Sequence, residues 1–298
     1  MNILIIGSEG FIGKHLLNHF KKKHLNTFGA DILDIKNENY FLINKLDTNF
    51  EELFKNNKFD VCINASGAAS VPNSILNPKI DFQLNVINVF NILDSLRQFA
   101  PFCKFLNLSS AAIYGNPFEL PITETFIPLP LSPYGFHKYQ SEIICKEFNN
   151  VYNIQTLSIR IFSAYGEGLK KQLFWDTYNK INEAKNSQIF LHGTGMETRD
   201  FIYISDLVNA IEIILNNCDF NGSSINIGSG TQTTILEAVQ TFVNIINPNI
   251  KINFNQKNRI GDPELWLADI SKLTNLGFNI SYDLKSGLNN YYSWLVKN

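Results

Sequence analysis

An α/β fold, with a doubly wound, mostly parallel sheet covered by helices on both faces, is what the 298-residue sequence predicts. Three observations carry it. Short apolar runs alternate with amphipathic helical patterns through the first half of the chain. Those runs lack polar alternation, so each reads as a strand buried on both faces, as a parallel sheet requires. The first of them ends in a glycine-rich turn that opens a helical pattern.

In order, Ile3–Ile6 predicts the first strand and Phe11–Phe20 the first helix, because Ile12, Leu16, Leu17 and Phe20 fall on one stripe. Further strands are predicted at Thr27–Ile32, Val61–Asn64, Phe105–Leu108 and Thr156–Ile161, with helical patterns such as Phe82–Phe99 between them. Beyond residue 163 the pattern loosens. Loops containing Gly166, Gly168, Gly193 and Gly195 separate helices expected at Ser205–Leu215 and Thr234–Ile246. The expectation is a sheet domain over residues 1–163, to which 201–230 partly returns, and a smaller, irregular substrate-binding domain over 164–298. The cleft between them is the default ligand site.

Composition narrows the class. Hydrophobic residues make up 45% and charged residues 17%, a globular balance rather than a disordered one. A net charge of −2 offers no basic face for nucleic acid. The four cysteines are widely spaced without any C-x-x-C, which reads as buried thiols in a reducing compartment rather than a disulfide framework or zinc site. The opening M-N-I-L-I-I-G is too short for a secretory signal and lacks a basic lead-in. No apolar run approaches the length that spans a bilayer. A soluble cytoplasmic protein, with neither membrane nor nucleic-acid partner, is expected.

The stretch ILIIGSEGFIGKHLL places Gly7, Gly10 and Gly13 directly after a strand and at the head of a helix. Glycines keep such a turn tight and let backbone amides approach a pyrophosphate at the helix N-terminus. The second strand ends at Asp31, eighteen residues beyond Gly13. A carboxylate there accepts hydrogen bonds from both ribose hydroxyls of adenosine and repels a 2′-phosphate, which favours NAD over NADP. Asp34 is a substitute for that role, and Asp47 reads either as a contact to the adenine edge or as a solvated turn residue. His15 and His19 have the i, i+4 spacing of a metal pair, yet no third ligand is evident. They read as two solvent-facing histidines, and no metal is expected.

Midway along the chain, LSPYGFHKYQSE offers Ser132 as a helix cap, Pro133 at the first helical position, and Tyr134 and Lys138 one turn apart on one face. A free tyrosine has a pKa near 10, so about one in a thousand is phenolate at neutral pH. Acting as a base there requires a shift of about 3 units, roughly 4 kcal/mol. A nearby ammonium and the positive charge of an oxidised nicotinamide supply it in a water-poor cleft. Twenty-four residues upstream of Tyr134, KFLNLSSAAIYG ends a strand in Ser109-Ser110, at the carboxyl edge where ligands sit in such sheets.

With these residues in this order, the chain resembles the extended short-chain dehydrogenase/reductases of the NAD-dependent nucleotide-sugar epimerase/dehydratase family, UDP-glucose 4-epimerase-like. The likeness covers essentially the full length. GSEGFIG, NASGAASV (64–71), LSSAAIYG, SPYGFHK, RIFSAYGEG (160–168), GTGMETRDFIYISD (193–206) and RIGDPELWLADI (259–270) follow the family's order. The resemblance implies a Rossmann-type sheet, NAD as cofactor, a nucleotide-diphosphate sugar as substrate, and a homodimer through two helices of each copy. It makes Tyr134 the acid/base, Lys138 the ligand of the nicotinamide ribose that lowers the tyrosine pKa, and Ser110 the holder of the sugar hydroxyl. It places Gly7, Gly10, Phe11, Ile12, Gly13, Asp31, Asp47 and Ala65 against the cofactor. Arg199 and Arg259 would grip the substrate pyrophosphate, bidentate work suited to guanidinium. Asp262 would contact the nucleoside ribose, and His192 would lie against the base.

Three departures narrow the activity. Sugar 4,6-dehydratases of this kind carry Asp-Glu after the catalytic hydroxyl residue, where this chain has Ala111 and Ala112, and alanine transfers no proton. The usual asparagine of R-x-F-N is Ser163, so the grip on the sugar diphosphate must differ. Lys170 and Lys171 stand where the cleft loop meets the substrate, or form a surface charge pair. The reading that remains is NAD-dependent hydride chemistry at a secondary alcohol, first as a 4-epimerase. The runner-up is an NAD(P)H-dependent 4-ketosugar reductase or C4 dehydrogenase, followed by a 4,6-dehydratase and last by a non-catalytic NAD-binding protein.

Overall fold

Ile3, Leu4, Ile5 and Ile6 are all fully buried and form the centre of β1 (Asn2–Ile6), the strand around which the chain is organised. The computed structural model describes residues 1–44, 49–184, 186–257 and 261–298. After β1 come α1 (Phe11–Lys22), β2 (Asn26–Asp31), β3 (Tyr40–Leu42), α2 (Glu51–Lys55) and β4 (Val61–Asn64). Then α3 (Val71–Leu76), α4 (Pro78–Phe82), a π turn (Gln83–Ile87) and α5 (Asn88–Phe99) lead into β5 (Lys104–Ser110). A 3₁₀ turn (Ala111–Tyr114) and a long loop precede α6 (Pro133–Tyr152) and β6 (Thr156–Ile161). The remainder holds β7 (Ser163–Tyr165), α7 (Gln172–Asn182), β8 (Gln188–Leu191), β9 (Thr198–Tyr203) and α8 (Ile204–Asn217). It closes with β10 (Ser224–Ile227), β11 (Gln232–Thr234), α9 (Ile235–Ile246), β12 (Lys251–Phe254), α10 (Ser271–Asn275) and α11 (Leu284–Leu295).

Among the described residues, seven strands form one sheet in the order β10-β6-β5-β4-β1-β2-β3, every pair parallel. Side chains alternate across it, as the two-residue period demands. Ile3 and Ile5 pack with Leu16 and Phe20 of α1 and with Leu207 and Ile211 of α8. Leu4 and Ile6 pack on the other face with Phe54, Ile92, Leu96 and Phe148. Both faces are covered, which is why the strands read as unbroken apolar runs. The chain leaves β1 in one direction through β2 and β3, then crosses back to place β4 on the other side of β1. The winding therefore reverses between β1 and β4, and the crevice at their carboxyl ends is where such sheets hold ligands. Beyond the main sheet, β11-β9-β7 and β12-β8 form two small sheets, while β10 returns to the main sheet's edge beside β6.

Two expectations need correction. The helix expected over Phe82–Phe99 instead begins at Pro78 and passes through the π turn before α5. That wider turn brings Asn85 under Gly67, where a Cβ would lie 2.5 Å from Asn85 Oδ1. His15 and His19 are not solvent-facing. His15 Nε2 meets the Glu167 carbonyl of the loop after β7 at 2.8 Å, and the packing of α1 on α8 pairs His19 Nε2 with Glu212 at 2.7 Å. Of the four cysteines, three are buried free thiols and Cys218 is half-buried.

Candidate active site

The turn after β1 is pressed against its neighbours so closely that side chains are excluded. Gly7 has φ +83°, and a Cβ on it would fall 2.6 Å from the Ser66 amide nitrogen. A Cβ on Gly13 would fall 2.0 Å from the Gly7 carbonyl oxygen. The first turn of α1 behind this turn carries no acidic residue, which leaves the helix N-terminus itself open to an anion. A cavity of about 330 Å³ runs from Gly7 and Gly10 to Asp31 and touches Ala65. Asp31 accepts the Glu9 amide at 2.8 Å and its neighbour Ile32's amide at 2.7 Å, and each oxygen keeps a second lone pair for a further donor. Burial, and then the negative charges of Asp31, Glu9 and Asp34, push the Tyr40 phenol up to about 12. Three carboxylates thus gather beside the pocket. A tight, side-chain-free cradle at a helix N-terminus with an acid at the far end fits a dinucleotide lacking a 2′-phosphate.

A second, larger cavity of about 840 Å³ shares Gly10, Ala65, Ser66 and Gly67 with the first. Phe11, Ile12, Ser110, Tyr134 and Lys138 all line it. Ser110 closes β5, and its Oγ accepts the Ala112 amide at 3.2 Å. Ser132 caps α6 by accepting the Gly135 amide at 3.2 Å, with Pro133 following. Tyr134 and Lys138 sit one turn apart on the cavity side of that helix. Lys138 is 6% exposed and donates to the Leu108 carbonyl at 2.9 Å. Burial pushes the Tyr134 phenol up to about 12, against the opposing hydrogen bond from Ser110. Burial also holds the Lys138 ammonium down at about 8, against the pull of Asp81. Neither group is in its working state from the protein alone, and each is sensitive to charge brought into the cavity.

Beneath this trio lies a brace of charged and hydroxyl groups. Glu142, one turn beyond Lys138, accepts from Ser109 Oγ at 2.5 Å and from Arg160 Nη2 at 2.8 Å. Arg160 Nη1 donates to the Tyr114 hydroxyl at 2.8 Å, and Tyr114 in turn donates to Asn226 at 2.7 Å. The end of β5, the cavity-lining helix α6, β6 and β10 are joined through one buried network.

At the other end of the cavity stand Ser163, His192, Arg199 and Asp262. Arg199 lies over the Trp266 ring, 5.4 Å from its centroid, and donates to the Thr198 carbonyl at 2.8 Å. Burial lowers its pKa, against the charges of Asp262 and Glu197. His192 is exposed, with Nδ1 2.8 Å from Asn255 Nδ2. Lys170 and Lys171 also line the cavity: the Lys170 ammonium rests over the rings of Trp175 and Trp294, and Lys171 reaches the Ala69 carbonyl at 3.5 Å. Asp47 and Arg259 lie outside the described residues. The remaining predicted site residues line two adjoining cavities, except Gly13, which packs against the Gly7 carbonyl and lines neither. The structure adds Ser66, Gly67, Trp266 and the Glu142–Arg160 brace, which no local spacing announces.

Residues 3–228 match the NAD dependent epimerase/dehydratase family. The chain belongs to this family. It is an NAD-dependent enzyme. Over 99% of its length it is 29% identical to a Methanocaldococcus jannaschii protein provisionally named UDP-glucose 4-epimerase, covering 99% of that protein. It is 25% identical to CDP-paratose 2-epimerase of Salmonella typhi over 99% of both chains. Among solved structures, UDP-glucuronic acid 4-epimerase from Bacillus cereus, in complex with UDP-glucuronic acid and NAD, superposes with a TM-score of 0.89 at 26% identity. That match covers 100% of this chain and 99% of the other. Among the described residues of this epimerase/dehydratase family member, no helix is long and apolar enough to cross a membrane.

Proposed function

We propose that this enzyme is a 4-epimerase of a nucleotide-diphosphate sugar, with Tyr134 as the acid/base, Lys138 as its charge partner and Ser110 as the holder of the reacting hydroxyl. The observation that carries the reading is that Ser110, Tyr134 and Lys138 line one cavity, which adjoins the cofactor-sized one through Gly10, Ala65, Ser66 and Gly67. The similarity to relatives named as UDP-sugar 4-epimerases supports the position on the sugar.

NAD, when bound, supplies a hydride acceptor that becomes the donor, and a positive nicotinamide charge. Tyr134 Oη takes the proton of the sugar hydroxyl as the hydrogen on the same carbon leaves as hydride, giving a ketone. After the sugar turns, hydride returns to the opposite face and Tyr134 gives the proton back, so no net oxidation occurs. Ser110 donates to the sugar oxygen throughout. The Lys138 ammonium and the cofactor charge lower the phenol from its value in the bare protein. Ala111 and Ala112 border the hydroxyl pair, and neither moves a proton, which sets dehydration aside. Gly7, Gly10, Phe11, Ile12, Gly13, Asp31 and Ala65 would hold the cofactor. Arg199, Ser163, His192 and Asp262 would hold the nucleotide diphosphate. We assign cofactor binding to residues 1–163 and most substrate contacts to 164–298. We place the interface of a homodimer on α5 and α6, which expose Phe90, Phe136 and Ile143.

Incubation with UDP-, GDP-, CDP- and dTDP-sugars, with and without NADH, tests the reading. A C4 epimer formed without NADH consumption supports it. Net NADH consumption replaces it with a ketosugar reductase.

A further inference from the structure

We propose that His137 is a positioning residue for Tyr134: its imidazole caps the buried Asp81 beside that phenol and pins α6 to α4. The inference rests on the proposed role of Tyr134.

His137 stands three residues after Tyr134 and one before Lys138, within the turn that carries both. Its Nδ1 lies 2.5 Å from Asp81 Oδ1. His137 is 9% and Asp81 3% exposed, so the pair is out of solvent. The ring of Phe82 stands edge-on to the imidazole with centroids 5.3 Å apart and covers one side. Asp81 Oδ2 is buried without a hydrogen-bond partner among the described residues. A buried carboxylate satisfied on one oxygen depends on that single contact, and the imidazole supplies it.

Other charged and titratable groups near the pair already have different partners or lie in solvent. On α6 these are Tyr134, Lys138, Glu142 and Cys145, and Glu142 is paired with Arg160 of β6. On α4, Lys79 is exposed. α3 presents the Ser74 hydroxyl, which accepts the Tyr134 amide at 3.1 Å, and the π turn presents the Asn85 amide. β5 contributes the Ser110 hydroxyl. Asp81 is the carboxylate whose charge opposes Tyr134 ionisation and favours a charged Lys138. The imidazole caps Asp81 Oδ1 and shields Tyr134 from part of that carboxylate's charge. Without the imidazole that charge stands uncovered.

Direct titration of the phenol tests this without any sugar substrate. NAD-loaded wild type, His137→Gln, Asp81→Asn and the double variant are each titrated by tyrosinate ultraviolet absorbance, with the matching Tyr134→Phe protein subtracted. His137→Gln is expected to raise the Tyr134 midpoint by about one pH unit, and adding Asp81→Asn to bring it back to the wild-type value. Asp81→Asn alone should leave the midpoint at or below wild type. An unchanged midpoint in His137→Gln, or one raised equally in the double variant, overturns the proposal. If His137→Gln does not fold, His137→Ser, with and without Asp81→Asn, is read in the same way. Should the pattern appear while no sugar nucleotide turns over, the functional reading falls and the charge coupling stands.

Discussion

Ser110 closes β5 and Tyr134 opens α6, and both line one cavity, where the Ser110 hydroxyl favours ionisation of the Tyr134 phenol. Strand end and helix start are held in that relation from below. The same α6 places Glu142 against Ser109, the residue before Ser110, and Arg160 clamps Glu142 from β6. The relation between Ser110 and Tyr134 is thus braced by a buried ion pair that does not touch the cavity.

Removing that clamp should therefore harm both stability and turnover. Glu142→Gln leaves the Arg160 guanidinium buried without its carboxylate, and a destabilisation of about 3–5 kcal/mol is expected. Chemical denaturation followed by circular dichroism measures it. A loss below about 1 kcal/mol would mean that the pair contributes no more than a surface bridge.

Lys138 has a pH signature. Its folded-state pKa of about 8 lies below the ordinary 10.5, so between those values the unfolded chain holds a proton that the folded chain lacks. Stability of the wild type relative to Lys138→Met should rise with pH through that window, by roughly 3 kcal/mol in all. Paired denaturation curves from pH 7 to pH 11 check the direction. A difference that stays flat would place Lys138 in a solvated environment.

Asp31 should govern cofactor choice. Asp31→Ser removes an acceptor for the ribose hydroxyls and one of the three charges beside the pocket. NAD affinity is expected to fall about tenfold, as loss of a charged hydrogen bond dictates, while NADP affinity improves. Titration of both dinucleotides by fluorescence measures the ratio. Equal losses for the two would show that Asp31 does not meet the 2′ position.

Arg199 should act on binding rather than chemistry. Arg199→Lys keeps the charge but loses the fork and the stacking on Trp266. KM for the sugar nucleotide should rise about tenfold, with kcat held within about threefold. A fall in kcat at constant KM would move Arg199 into the transition state.

Much of this was readable before the structure, for definable reasons. Strands buried on both faces are written as unbroken apolar runs, so β1, β4, β5 and β6 were visible. Ser132, Pro133, Tyr134 and Lys138 lie within seven residues, and helical periodicity alone puts them on one face. The glycine turn announces itself through residues that no other type can replace. What escaped depends on contacts distant in sequence. Arg199 meets Trp266, Glu142 meets Arg160, and Asp81 meets His137 only because the sheet order and the α4–α6 packing bring them together. His15 and His19 looked solvent-facing because the packing of the loop after β7 and of α8 on α1 cannot be read from α1. The π turn before α5 was hidden for a similar reason, since Gly67 across the crevice leaves room for it.

The central claim is that hydride leaves and returns to one carbon while Tyr134 carries the proton. The most direct measurement is the fate of deuterium placed at C4 of the sugar nucleotide that the panel identifies, followed by NMR in ordinary water. Epimerisation with the deuterium kept at C4 of the inverted sugar is the predicted result. Solvent hydrogen appearing at C4 would contradict the account, because the hydrogen would then have left as a proton rather than a hydride.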